Sequence, residues 1–565
     1  MMNTRSYDYV IVGGGSAGCV LAARLTEEPN VSVALLEAGD ADKTQEISTP
    51  IAWPGLAKTK FDWDFASEPE PMLNGRRIYI ARGKTLGGSS AVNAMIYMRG
   101  NPMDYDGWAK EGAPGWSYQE ILPYFIKSES NQRGDARFHG RSGPLSVQDG
   151  RYKHPLADRF VEAGIQAGQE HNDDFNGASQ LGVGRLQFTM RDGSRCSAAD
   201  AYLHPARQRP NLDVLTGVLV TRVLLEGSRA VGVTVSRYGN EEETLGAERE
   251  VIVSAGAYNS PQLLMLSGIG PASDLKRFGI APIVDLPVGE NLQDHPFVLP
   301  LYFTNESTFF RAGSAEDVRL YQRERRGPLA SGMVEAGGFL TIRPGERVPD
   351  IELQMAPVMY SDEGLSVPTD DAFGISADLL KPTSRGKVTL RSTRPDAKPR
   401  IFLNVLTTAE DRSTIIAGVR QILHIVKQPA LDAVRRSDLS VPRSDSDANI
   451  WEFVQQQAIT DRHPSCTCAM GRVVDPELKV LGIEGLRVVD ASVMPSITRG
   501  NLNATVIAIA EKAADLLLRP SLSPRQVAQP PTTQPLTSMV FPASTAVRAA
   551  TINDIERDAR SRQGR

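Results

Sequence analysis

The feature that most constrains this chain is a glycine-rich hexamer near its start, Gly13-Gly14-Gly15-Ser16-Ala17-Gly18, set between two regular patterns. The run Tyr7 to Val12 before it reads as a strand, and Ala17 to Thr26 after it reads as a helix. A second strand-like run, Val31 to Glu37, completes a βαβ unit and calls for a parallel sheet. At such a strand-to-helix turn each glycine has its own task. Gly13 permits the tight turn, Gly15 lets the backbone approach a pyrophosphate, and Gly18 allows close helix packing. Ser16 and Ala17 open the helix, whose end amides and partial positive charge suit an anion. Glu37, at the end of the second strand, is placed to accept the ribose hydroxyls of an adenosine. The motif alone does not separate NAD from FAD.

The chain has 565 residues, too many for one core, so two domains are expected. Net charge is -5 with no long basic run, which argues against a nucleic-acid partner. Four cysteines, Cys19, Cys196, Cys466 and Cys468, do not make a disulfide scaffold. Cys466-x-Cys468 is too tight for a zinc knuckle and lacks a second cluster, so no metal is expected. The apolar stretch Val10 to Leu25 contains the glycine turn and reads as structure rather than as a targeting segment. With no apolar run of ~20 residues, no membrane span is expected. The expected location is the cytoplasm, with peripheral contact at the inner face of the membrane left open.

The fold class expected is α/β, α+β overall: a Rossmann-like cofactor domain with a split, β-sheet-containing substrate domain. Residues 1–155, 200–300 and 466–519 are assigned to the first, and 156–199 and 301–465 to the second. Strand patterns occur at Val214 to Leu225, Arg249 to Val253, Lys387 to Arg391 and Leu486 to Asp490. Helical patterns occur at Ile415 to Val426 and Thr505 to Arg519. Residues 520–565 form a Pro-rich tail expected to be flexible, with a short amphipathic helix around Ile552 to Arg562.

Four further segments carry a family resemblance. The first runs Arg82-Gly83-Lys84-Thr85-Leu86-Gly87-Gly88-Ser89-Ser90-Ala91-Val92-Asn93, followed by Tyr97. The second is Gly256-Ala257-Tyr258-Asn259-Ser260-Pro261, reaching Ser267-Gly268-Ile269-Gly270. Val288-Gly289-Glu290-Asn291-Leu292-Gln293-Asp294-His295 is the third. The last joins His463-Pro464-Ser465-Cys466-Thr467-Cys468-Ala469-Met470-Gly471 to Val489-Asp490-Ala491-Ser492 and Gly500-Asn501-Leu502-Asn503. In this order the blocks resemble the glucose–methanol–choline oxidoreductase family, nearest its choline-dehydrogenase and primary-alcohol-dehydrogenase branches.

The resemblance implies FAD. It implies that Ser90 and Asn93, Ala94, Met95 and Ile96 line the flavin, that the Val220 backbone meets the adenine, and that Asp490 and Ala491 sit near the ribityl chain and pyrophosphate. Some members attach FAD through a histidine in the first block. Val92 stands at the matching place here and cannot form that bond, so non-covalent FAD is expected. The implied reaction is oxidation of an alcohol, a primary one, to the aldehyde. The acceptor is oxygen, a quinone or a redox protein. Hydroxynitrile-lyase-like and light-driven fatty-acid decarboxylase activities occur on the same scaffold and stand as alternatives.

Alcohol oxidation needs a base for the hydroxyl proton, and histidine, titrating near neutrality, suits it. Of seven histidines, His139, His154, His171, His204, His295, His424 and His463, only His463 matches the family's active-site position. His424 lies in a helical apolar pattern, His154 and His204 precede prolines, and His295 is expected to support the cofactor domain. The partner of His463 is expected to be Asn501, with Asn503 as the runner-up; its amide would steady a developing oxyanion. Three positions depart from or qualify the pattern. Cys466 stands where many relatives have glycine, Asp200 replaces a frequent arginine, and Glu335 is a carboxylate that could face a cation.

Overall fold

The computed structural model describes residues 5–237, 242–343 and 345–518. Residues 520–565, where a flexible tail is expected, lie outside them, as does Arg519.

Two sheets organise the described chain. The first has seven strands in the order Leu212–Thr216, Val33–Glu37, Arg5–Val12, Glu242–Val253, Arg229–Arg237 and Val218–Glu226, with Leu486–Val488 joined to Glu242–Val253. Arg5–Val12 runs parallel to both Val33–Glu37 and Glu242–Val253, so the expected βαβ unit is present. Every residue of Val33–Glu37 is buried, as befits a parallel strand covered on both faces. The pattern Val214 to Leu225 is not one strand. Gly217, at φ 67°, breaks it, and its N–H donates to the Gly39 carbonyl at 2.9 Å. The upstream half pairs in parallel with Val33–Glu37, while the downstream half turns into an antiparallel hairpin with Arg229–Arg237.

The chain returns to this sheet at its far end. Leu486–Val488 adds in parallel beside Glu242–Val253. The helix Asn503–Leu518 then packs against the fingerprint helix Ser16–Leu25. Glu511 is fully buried at that contact, where Arg24 Nη2 reaches it at 2.8 Å and the Tyr202 hydroxyl donates at 2.9 Å. A buried carboxylate needs such partners, and Lys127 Nζ adds a third at 3.1 Å.

The second sheet has eight strands, ordered Arg435–Ser440, Leu301–Thr304, Ala372–Leu379, Ile351–Ala356, Ala336–Leu340 and Gly182–Arg185, with Pro296–Val298 and Ile459–Thr460 off that path. Helix Ala409–Val426 lies across it, capped by Thr408, which accepts from Asp411 N–H. Gly418 faces Ile351 and Ala377 across this contact, while Ile415, Val419 and Ile422 join the same apolar core. The Lys387 to Arg391 pattern is a short strand, Lys387–Thr389, paired with Arg400–Phe402 outside both large sheets. Among the described residues no helix is long and apolar enough to cross a membrane.

Candidate active site

A long cavity runs past the glycine turn, and its walls draw on both sheets. At the turn Gly13 takes φ 104°, and a Cβ there would meet the Ser254 carbonyl oxygen at 2.5 Å. No side chain caps the fingerprint helix at Gly15, so its first amides keep their donors, as an anion-binding helix end requires. Gly15 and Gly88 approach so closely that a Cβ on Gly88 would stand 2.7 Å from Gly15 Cα. Gly18 does not line the cavity. It lies beneath, where a Cβ would sit 1.9 Å from the Gly13 carbonyl oxygen. Glu37 does reach the wall, its Oε2 accepting from Gly14 N–H at 2.9 Å and its Oε1 from Gly39 N–H at 2.7 Å. Burial raises this carboxyl to about 7.

The second glycine block folds back onto the first. Gly87 and Gly88 both take positive φ, and a short 3-10 turn, Gly88–Ala91, follows. Ser90 Oγ donates to the Gly87 carbonyl at 2.6 Å and accepts from Ala198 N–H at 2.9 Å. Asn93 Oδ1 accepts from Met95 N–H at 3.0 Å and from Arg195 Nη1 at 2.8 Å. These bonds hold Val92, Asn93, Ala94, Met95 and Ile96 along the wall, which Val220, Asp490 and Ala491 also line. The Asp490 carboxylate is spent within the protein. It accepts from Gly256 N–H at 2.9 Å, Ser260 Oγ at 2.5 Å and Ser492 N–H at 2.8 Å, locking the start of helix Gly256–Leu266 to the late strand.

His463 and Asn501 meet on the same wall. Asn501 Nδ2 lies 3.3 Å from His463 Nε2, an amide donor facing a bare ring nitrogen. If Nε2 is the acceptor in that contact, the ring proton is assigned to Nδ1, which has His295 Nδ1 at 3.0 Å and Asp461 Oδ2 at 3.3 Å. The backbone N–H of His463 donates to Asp294 Oδ1 at 2.7 Å. Asn503 is turned away: its Oδ1 accepts from Ser16 Oγ at 2.7 Å, beside the glycine turn. His463 does not titrate near neutrality. Burial first, then the Arg82 and Arg462 cations, lower it to about 3, so the ring is neutral throughout the ordinary pH range. Burial raises Asp461 and Asp294 to about 7.

Most other histidines are engaged elsewhere. His139 bridges Glu129 and Asp174, His204 meets Asp42 at 2.9 Å, and His154 caps a helix by accepting from Leu156 N–H. Glu335 is buried against Ser331 Oγ at 2.6 Å and Arg185 Nη1 at 3.2 Å, away from the cavity. Asp200 caps its own turn through Ser197. Cys466 takes φ 74°, which gives a physical reason for glycine at that place in relatives.

Several lining residues were not singled out from the sequence: Trp53, Arg82, Tyr258, Gln354, Tyr360 and Arg462. Arg462 had one available signal, its position immediately before His463. Along the cavity Trp53 Nε1, Ser254 Oγ, Tyr258 OH and Asn501 Oδ1 are buried with no protein partner. A glycine turn suited to a pyrophosphate, a carboxylate suited to a ribose and a row of unpartnered polar atoms together fit a long dinucleotide such as FAD.

Fold and site thus fit a dinucleotide-dependent oxidoreductase whose cavity wall carries His463. Comparison with known proteins makes the class specific. The N-terminal GMC oxidoreductase model matches residues 7–297, and the C-terminal GMC oxidoreductase model matches 382–510. An oxygen-dependent choline dehydrogenase of Burkholderia multivorans is 44% identical over 543 residues, covering 91% of this chain and 94% of its own. The mitochondrial choline dehydrogenase of Mus musculus is 42% identical over 554 residues, covering 92% and 91%. Among solved structures, pyridoxine 4-oxidase from Mesorbium loti superposes with TM-score 0.83 at 34% identity, over 90% of this chain and 98% of that one. A formate oxidase superposes with TM-score 0.86 at 30% identity, over 92% and 99%. The chain belongs to the GMC oxidoreductase family. It is a FAD-dependent oxidoreductase acting on CH–OH donors.

Proposed function

We propose that this enzyme oxidises a primary alcohol to its aldehyde, with His463 as the base and Asn501 holding the reacting oxygen. The observation that carries the reading is the pair itself: His463 Nε2 and the Asn501 amide nitrogen 3.3 Å apart on the wall of the cavity that runs past the glycine turn. A hydroxyl lying beside the pair, within hydrogen-bonding reach of both, gives its proton to Nε2 while Asn501 Nδ2 turns to steady the negative charge left on oxygen. The imidazolium so formed keeps its Nδ1 proton toward Asp461 and His295, so the ring orientation is fixed before and after transfer.

FAD, held without a covalent bond, supplies the acceptor for the hydride that leaves the carbon. Gly13, Gly15, Ser16 and Ala17 would take its pyrophosphate, with Gly18 allowing the helix close enough. Glu37 would take the ribose, Val220 the adenine, and Ser90 with Asn93 to Ile96 the flavin. Asp490 and Ala491 would flank the ribityl chain. In this reading the first sheet serves the cofactor and the second walls the substrate. The electron acceptor is oxygen, a quinone or a redox protein.

His463→Ala should lower turnover by roughly 10²- to 10⁴-fold with flavin retained, the usual worth of a general base. Asn501→Ala should cost on the order of 10²- to 10³-fold, as loss of one oxyanion donor does. The double variant should fall little further than His463→Ala, because the two groups serve one oxygen. Flavin-replete His463→Ala with wild-type turnover would remove the basis of this reading.

A further inference from the structure

Arg462 is a cation built into the reaction wall. It directly precedes His463 and takes φ 60°, a left-handed conformation that a side-chain-bearing residue adopts only under constraint. Its Nη1 donates to the Tyr360 hydroxyl at 3.1 Å, its Nη2 to the Glu363 carbonyl at 2.9 Å, and its Cζ lies 5.7 Å from the Tyr79 ring centre. Its Nε is buried and has no partner. Arg82 stands beside it, Nη1 donating to the Arg462 carbonyl at 2.6 Å. Arg82, Arg462, Tyr360 and His463 all line the cavity. Every hydrogen-bond acceptor these two guanidiniums meet is thus neutral.

Carboxylates are present on the same wall, but neutral donors occupy them. Asp62 accepts from the Tyr79 hydroxyl and from Arg82 N–H at 2.9 Å. Glu363 Oε2 accepts from Tyr79 N–H at 2.6 Å. Asp461 accepts from Gln354 Nε2 at 3.2 Å, and Asp294 from the N–H groups of His295 and His463. Burial raises Glu363, Asp461 and Asp294 toward their neutral forms, whereas a guanidinium keeps its charge. The wall beside His463 therefore holds two fixed positive charges without direct counter-ions.

We propose that the alcohol taken by this enzyme carries a carboxylate, which docks on the Arg462 guanidinium with the Tyr360 hydroxyl alongside. This rests on the alcohol-oxidation reading above and narrows its substrate class. The same wall repels a quaternary-ammonium alcohol, because the two guanidiniums there have no carboxylate hydrogen-bonded to them. Arg462 is thus a specificity-determining residue, and its planar donor fork matches a carboxylate in shape as well as charge.

The test uses the FAD-loaded enzyme, anaerobically and in the dark, following flavin absorbance. The probes are ω-hydroxy carboxylates of increasing length (glycolate to γ-hydroxybutyrate), a neutral primary alcohol (the tert-butyl isostere of choline), and choline itself. The carboxylate of best length should reduce the flavin with kcat/KM roughly 10- to 100-fold above the neutral alcohol, the worth of a charge-assisted bond, with choline slowest. Arg462→Met should cut that carboxylate-to-neutral ratio by about the same 10-fold or more, and Arg462→Lys should restore part of it. If these variants lose flavin, butyrate serves with the unaltered enzyme: it should inhibit neutral-alcohol oxidation competitively, and failure to inhibit counts against the proposal. Equal rates for all three charge types, or preference for choline, overturn it while leaving alcohol oxidation intact. Bleaching by no alcohol overturns it together with the reading beneath.

Discussion

A single methyl group at Gly18 tests whether the nucleotide turn is held by backbone contact. A Cβ there would stand 1.9 Å from the Gly13 carbonyl oxygen, 3.1 Å from the Gly13 carbonyl carbon and 3.3 Å from Leu35 Cδ1. Ordinary contact begins at 3.4 Å. Helix Ser16–Leu25 or the turn must therefore move by about 1.5 Å, in an interior where close packing leaves little slack. The helix cannot slide freely, because Ala17, Val20, Leu21 and Leu25 are buried and Arg24 is tied to Glu511. Overpacking of this kind costs about 1–3 kcal/mol or more. The shift also displaces the amides of Ser16 and Ala17 from the place where a pyrophosphate would sit. Gly18→Ala should thus lower Tm by several degrees and reduce flavin retained after gel filtration, with free FAD partly restoring both by mass action. Gly55→Ala is the matched control, since nothing lies within 4 Å of its Cβ position; its change should stay within about 0.5 kcal/mol. A Gly18→Ala protein with wild-type Tm and a full flavin complement would refute the reasoning.

Three further outcomes follow from the charges around His463. With the imidazole lowered to about 3, its base form is present at all ordinary pH, and kcat/KM should show no limb at the usual imidazole value of about 6.5. Instead kcat/KM should rise as pH passes about 7, where Asp461 and Asp294 ionise and strengthen Nε2 as a base, and Asp461→Asn should shrink that limb; an unchanged limb would contradict this. Stability carries the opposite sign. The folded chain holds the Asp461 proton up to about 7 while the unfolded chain releases it near the ordinary carboxyl value of about 4, so this group's contribution declines as pH rises across that window. Tm of Asp461→Asn should accordingly gain on the parent between pH ~5 and ~7, and a difference independent of pH would rule the linkage out.

The cofactor end was legible because its constraints are local. Positive φ at Gly13 and the near-contact of Gly18 with Gly13 are demands on single residues, and a sequence displays them directly. Strand limits depend on one backbone angle that composition does not show, and Gly217 split an apparently continuous apolar run for that reason. In the second sheet, Glu352 and Asp378 pair across neighbouring strands while fully buried, so charged residues interrupt the apolar pattern that would have marked those strands. The pairing of His463 with Asn501 came from family position, since nothing in their spacing requires contact. The same spacing could not distinguish Asn501 from Asn503, which contact His463 and Ser16 respectively. Burial is also invisible in sequence, and that hid both the depressed imidazole and the unpaired Arg462.

The most direct test of the central claim is dark, anaerobic titration of the purified flavoprotein with alcohols while flavin absorbance is recorded. The panel would span aliphatic, benzylic, polyol, hydroxy-carboxylate and choline alcohols. Bleaching by at least one of them, and its loss or severe slowing in flavin-replete His463→Ala, is the predicted result; admitting air would then show whether oxygen restores the colour. A flavin that stays oxidised with every alcohol, or one that bleaches equally fast without the His463 imidazole, would contradict the account.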